Sequence, residues 1–342
     1  MLIFPANRYM IRDTPGPVLP RLRPEKQALQ PSRRALRPPV KETFPLMRKD
    51  IVLPALAVAG GAAAFGLRRW QLVSAYDPET QLFRSGAPAT YMLVGLAALL
   101  ALAFLLSVRK KGGGPDDFLP AFRCPSSLFM AGMAASAFLF LGAGVLTVLE
   151  GMAQLAQWRL SPSSTMLTEP ISLLLCGVLC FPAGAGTLMA GRGCYRGDCP
   201  ASCSLLVLFP PIVALIWLFA SHLAHGTDPV LLRYGFSLAA VACLLLGLYY
   251  AASFFHRRPH PGRTAFFSLL GIALGLLSLA DAPAPYHAAL MGACMLSCLA
   301  YSCALLRNTF GPPWPERMPS GAQEEREQDG PYKEERRFSD DG

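Results

Sequence analysis

Tyr91–Val108 reads YMLVGLAALLALAFLLSV, a run with no charged residue. A helix that crosses a bilayer needs about 20 mostly apolar residues, because the hydrocarbon core is about 30 Å thick and each helical residue rises about 1.5 Å. The run is apolar on every face, as a helix in lipid is, whereas a helix on the surface of a soluble domain keeps a polar stripe. Seven further runs of this kind surround it, near 51–67, 127–149, 170–190, 204–222, 230–254, 264–280 and 286–306. Their interiors hold no Asp, Glu or Lys, and the one Arg is Arg233, just inside the sixth span. The pattern predicts an all-α polytopic membrane bundle of about eight transmembrane helices over residues 47–306.

The rest of the chain supports that class. Of 342 residues, 53% are hydrophobic and only 15% charged, against about 25% charged in soluble domains, and the mean hydropathy is +0.36. An ordinary soluble enzyme is excluded on this ground. The net charge is +9, and much of the charge of either sign is crowded into the two ends. Residues 1–46 form a basic, proline-rich arm without helical or strand periodicity, expected to be disordered. Two readings of it stand. It is either a cytoplasmic arm drawn to anionic headgroups, or upstream sequence that is not translated, with the start at Met47. Residues 307–342, with nine acidic and six basic residues, are expected to be a solvated, disordered cytoplasmic tail able to hold a protein partner.

Lysine and arginine set the orientation. With the N-terminus inside, the inner segments from Arg48 onward carry seventeen positive residues and the outer ones five, so both ends are expected in the cytoplasm. Tyr91, Trp158, Trp217, Tyr234 and Tyr286 then fall at the outer boundary, where amphipathic rings anchor. Arg68-Arg69 is the exception, a basic pair directly after the first span on the side that disfavours it. Because Ala62-Ala63-Ala64 precede it, that span also reads as a cleavable signal peptide, which would leave seven spans.

Pro182 falls inside the fourth span and Pro210-Pro211 inside the fifth. A proline lacks its N–H and strips the carbonyl four residues earlier of a partner, and in membranes such carbonyls are tolerated inside protein or beside a water-filled cavity. Paired broken helices also point to transporter sites. Pro182, Gly184, Gly186, Pro210 and Pro211 are therefore the candidate helix break and solute path. The ten cysteines avoid the outer loops, so no disulfide is expected. Cys194, Cys199 and Cys203 miss the paired spacing of structural zinc sites, and His222, His225, Asp228 and His287 share only an approximate depth. No metal, cofactor or catalytic residue is expected. With no His, Asp or Glu inside the spans for acid–base work, the protein reads as non-enzymatic.

The first outer loop reads Ala75-Tyr76-Asp77-Pro78-Glu79-Thr80, followed by Gly86-Ala87-Pro88-Ala89-Thr90. With Arg68-Arg69-Trp70 before it, this resembles an uncharacterised group of polytopic membrane proteins from Gram-positive, clostridial-type bacteria. The resemblance covers about 25 residues of distinctive motif and implies a bacterial cytoplasmic membrane but no activity. Read physically, Asp77-Pro78 starts a turn, and Tyr76, Asp77, Glu79 and Arg84 form a candidate outer cap. The leading expectation for function is a permease-like protein for a small neutral or amphipathic solute, with the lipid bilayer and not nucleic acid as its surroundings. The alternative is a scaffold or anchor subunit of a larger complex, binding through cytoplasmic loops and tail. An electron-transfer anchor at the outer histidines ranks third.

Overall fold

The computed structural model describes residues 48–77, 79, 82–84, 86–109, 115, 117–161, 167–199, 201–225, 231–256 and 258–311. The chain divides into two units, Met1–Pro45 and Leu46–Gly342. The first unit, the alternative start at Met47 and the tail beyond residue 311 lie outside the described residues.

The helices are α1 (Lys49–Ser74), α2 (Pro88–Val108), α3 (Phe118–Phe122), α4 (Ser127–Leu160), α5 (Thr168–Arg196), α6 (Ala201–Leu206), α7 (Phe209–His225), α8 (Leu231–Ser253), α9 (Pro261–Ser278) and α10 (Pro285–Phe310). Eight described segments are long and apolar enough to cross a membrane, with α6 and α7 supplying one of them together. No strand occurs among the described residues, only a single bridge between Tyr76 and Phe83. The protein is an all-α polytopic membrane bundle, and its immediate surroundings are the lipid bilayer.

Sequence chemistry sets several boundaries. Pro88, Pro261 and Pro285 stand at the first helical position of α2, α9 and α10, where the missing N–H has no intrahelical partner to lose. Gly197 closes α5 at φ 79°, a left-handed conformation that residues with a Cβ adopt at a cost. α10 continues to Phe310, beyond the apolar run that ends near residue 306.

Helix α10 is the centre of the bundle, packed on α1, α4, α8 and α9. In its spanning window 72% of residues are buried, against 17% for α2, which hangs on α1 and α9 at the periphery. Lipid gives helices no hydrophobic reason to associate, so close backbone approach and interhelical hydrogen bonds hold them. The α4–α5 pair uses glycines seven residues apart, Gly177, Gly184 and Gly191. Ideal Cβ atoms there would lie 2.7 Å from Val148, 2.9 Å from the Ala137 carbonyl and 2.6 Å from Met133. The α4–α10 pair uses Ser136, whose hydroxyl donates to the Ala293 carbonyl at 2.8 Å and lies 2.6 Å from Ser297 Oγ. Gly275 receives Met295 across the α9–α10 turn, while Gly271 packs instead on Leu244 of α8.

The two ends of the bundle differ. At one, Lys49 Nζ stands 5.8 Å from the Phe310 ring, so the start of α1 and the end of α10 share a side. There α3 lies across the helix ends, with Phe118 stacked on Phe255 at 3.8 Å and Phe122 edge-on to Phe254 and Tyr301, both at 5.1 Å. Asn308 donates to the carbonyls of Ala121 and Arg123, at 2.9 Å each, which fixes α3 in place. At the opposite end lie Arg68, Asp281 and Trp217.

The proline reading holds at one place and not at the other. Pro182 does not break a helix, since α5 runs through it from Thr168 to Arg196. Pro210 and Pro211 do sit at an interruption of the fifth span. The interruption is at Val207–Leu208, and the prolines occupy the first turn of α7, where the absence of an N–H costs no helical hydrogen bond. The Leu206 carbonyl left by this break is covered by Gly186, on which an added Cβ would collide with it. Gly186→Ala should therefore cost about 1–3 kcal/mol through overpacking against backbone that cannot yield. Gly142→Ala, which faces open space, should leave stability unchanged or raise it by up to about 1 kcal/mol. Thermal unfolding of the two variants in detergent checks both expectations.

Candidate functional site

Arg68, on the last turns of α1, is completely buried. Its Nε donates to Asp281 Oδ1 at 2.7 Å. Its Nη1 donates to Gln71 Oε1 at 2.8 Å, and Gln71 passes the contact on to Thr90 Oγ1 of α2 at 2.8 Å. The guanidinium also stands 5.4 Å from the Phe83 ring and 5.5 Å from that of Phe236. A cation removed from water is tolerated only when paired and hydrogen-bonded, and Arg68 has both kinds of partner together with two ring faces. The basic residue that looked misplaced beside the first span is thus consumed inside the protein. Arg69 lies alongside, with Nη1 3.4 Å from the Ala280 carbonyl.

The loop between α1 and α2 closes over this pair. The Asp77 amide donates to the Leu82 carbonyl at 3.0 Å, and the Arg84 amide to that of Ala75 at 2.8 Å. The Glu79 amide is held by Asp77 Oδ1 at 3.0 Å, an Asx turn of the kind that short acidic side chains stabilise. Tyr76 and Phe83 face one another with ring centroids 5.3 Å apart. The loop residues Tyr76, Asp77, Glu79 and Arg84 therefore sit in one small hairpin, and Phe83 within it is what reaches Arg68.

Beside Arg68, the ends of α7, α8, α9 and α10 enclose a cavity of about 330 Å³. Hydroxyls line it, from Ser221, Ser237, Ser278, Tyr234 and Tyr286, together with His287 and Asp281. Trp217 Nε1 donates to His287 Nδ1 at 3.2 Å, and Ser237 Oγ lies 3.1 Å from His287 Nε2. An indole N–H is only ever a donor, so Nδ1 accepts and the neutral ring carries its proton on Nε2, directed at Ser237. His287 in this tautomer gives a hydrogen bond to the serine and has no lone pair to activate it. Trp217, expected at the lipid boundary, is instead buried and holds the imidazole. Directly after Asp281 comes Ala282 at φ 51°, the one non-glycine residue with a left-handed backbone among those described.

The other sequence candidates fall elsewhere. Pro182, Gly184 and Gly186 lie in mid-α5, and neither glycine leaves room for a methyl group. Pro210 and Pro211 are buried at the start of α7. His222 is exposed, whereas the side chain of His225 and residue Asp228 lie outside what is described. Cys199 packs against the end of α5, 2.7 Å from an ideal Cβ on Gly193. Its thiol is pushed well up by the hydrogen bond with Cys203 and by burial. Among the described residues no group of three or more His, Cys, Asp or Glu is placed to hold a metal ion.

No family model, no curated protein and no solved structure matches the chain. Fold and site together define an α-helical membrane protein, with eight candidate spans among the described residues and a cavity lined by hydroxyls and apolar groups at the end that carries Arg68.

Two substitutions probe this end. Arg68→Met keeps the bulk, removes the charge and leaves Asp281 without its guanidinium, and it should cost about 3–5 kcal/mol. Ala282→Gly should add about 1 kcal/mol by relieving the left-handed strain. Both are read by thermal unfolding of the purified protein in lipid nanodiscs.

Proposed function

We propose that this protein is permease-like, taking a small neutral polar solute into the cavity beside Arg68 and Asp281. The observation that carries this reading is the cavity itself, about 330 Å³, at the small end of the range for ligand sites. Its walls carry serine hydroxyls, phenols and an imidazole, which both give and accept hydrogen bonds, beside the apolar Leu238, Pro283 and Ala284. Asp281 is the one acidic lining residue and is neutralised by Arg68, which favours an uncharged solute rich in hydroxyl or amide groups. The bias of Lys and Arg towards the Arg48 end supports a cytoplasmic position for that end, so the cavity faces outwards, and the loop resemblance supports a bacterial cytoplasmic membrane. A non-enzymatic role agrees with the His287 tautomer, which disfavours serine activation.

The test is a thermal-shift panel of small polyols, sugars and amides, with carboxylates and amines as controls, on the full chain in nanodiscs, followed by uptake into proteoliposomes. One neutral class should stabilise the protein, and Ser237→Ala should weaken that effect at least tenfold with unchanged unfolding in its absence. If no neutral solute binds and none is taken up, the reading fails. A protein partner retained through residues 312–342 would then favour the scaffold alternative.

A further inference from the structure

A second cavity, of about 510 Å³, lies at the other end of the bundle, between α1, α4 and α10. Its floor is a single face of α10, where Leu296, Leu299, Ala300, Cys303, Ala304 and Arg307 follow the helical repeat of three and four residues. These positions span three turns, about 16 Å at about 1.5 Å per residue, which is half of the roughly 30 Å hydrocarbon core. Ile51 and Pro54 of α1 form one wall, and Phe129 and Gly132 of α4 the other. α1 and α4 both pack on α10, and the crevice left between them is rimmed by the exposed side chains of Ile51 and Leu128. It therefore faces sideways, into the bilayer.

The chemistry changes sharply at the top of the groove. Asp50, almost fully buried, accepts from Arg48 Nη2 at 3.3 Å and faces Arg307 Nη1 at 3.8 Å. Lys49, next in the chain, stands over Phe310 instead. Two cations thus face one carboxylate, which leaves the mouth positive. Cys124 adds no charge, since burial pushes its thiol up despite the Ser126 amide and Arg307. Below this cluster the lining is apolar for the depth of one leaflet.

From this geometry we infer that the groove is a binding site for an anionic phospholipid of the leaflet at the Arg48 end. One acyl chain lies along α10 between α1 and α4, and the phosphate meets the guanidiniums of Arg48 and Arg307. The length of the apolar stripe matches a chain confined to one leaflet. The surplus of positive charge at the mouth selects an anionic headgroup over a zwitterionic one. The site is independent of the cavity proposed to take solute.

Gly132 supplies the decisive variant. It lines the groove and has nothing within 4 Å of an ideal Cβ, so the side chain of Gly132→Leu starts in open space and extends into the groove. The full chain in detergent is titrated with phosphatidylglycerol or phosphatidylcholine, with thermal unfolding and native mass spectrometry as readouts. Wild type should bind phosphatidylglycerol at least tenfold more tightly than phosphatidylcholine and unfold at a higher temperature with it. Gly132→Leu should lose that response while unfolding no lower in lipid-free detergent. Arg48→Gln, at an exposed side chain, should keep chain binding and lose the headgroup preference. Equal responses to the two lipids, or a full response in Gly132→Leu, would overturn the assignment. So would a response that appears only on truncation after Gly311, because the chain's own tail would then be the occupant.

Discussion

The contact between Arg68 and Asp281 organises one whole end of this bundle. A guanidinium with no exposed surface in a membrane-boundary helix is stable only if the surroundings meet its charge and its donors. Meeting them recruits α1 through Gln71, α2 through Thr90, the intervening hairpin through Phe83, α8 through Phe236 and the α9–α10 turn through Asp281. Segments that lipid itself gives no reason to converge are drawn to one point. The left-handed backbone at Ala282 stands directly after Asp281, in the turn that presents the carboxylate to α1. The polar cavity then lies between this fixed pair and the Trp217–His287–Ser237 chain.

The two ends of the bundle differ in chemistry. Beside Arg68 the cavity is polar and its acidic residue is matched, which suits a neutral solute. Beside Asp50 the groove is apolar, with a positive mouth, which suits a lipid. α10 contributes to both, through Tyr286 and His287 at one end and through its stripe from Leu296 to Arg307 at the other. Between them Leu290, Met291 and Cys294 are fully buried, and the two cavities share no lining residue.

The sequence makes the spans legible because lipid imposes one strong rule, uninterrupted apolar length, and all eight runs coincide with helices. It also exposes Arg68 as an anomaly of position, but its partner is 213 residues away and no local pattern links them. Trp217 reads as a boundary anchor by depth, and only the packing of α10 reveals that its N–H turns inwards to His287. The prolines divide for a related reason. Their missing N–H groups are visible in the sequence, yet Pro182 is carried inside a continuous α5 while Pro210 and Pro211 follow the interruption at Val207–Leu208. The seven-residue spacing of Gly177, Gly184 and Gly191 is plain in the chain, while the surface of α4 that fills it is not. The groove at Gly132 leaves no sequence trace, since an absent side chain facing empty space looks like any helical glycine.

The central claim is that Arg68 and Asp281 stabilise the fold through each other. A double-mutant cycle of Arg68→Met and Asp281→Asn, measured as unfolding free energy in nanodiscs, tests it most directly. The account requires the double variant to be less destabilised than the two single losses together, with a coupling of at least about 1 kcal/mol. Losses that add to within about 0.5 kcal/mol would contradict it, and the burial of Arg68 would then need another cause.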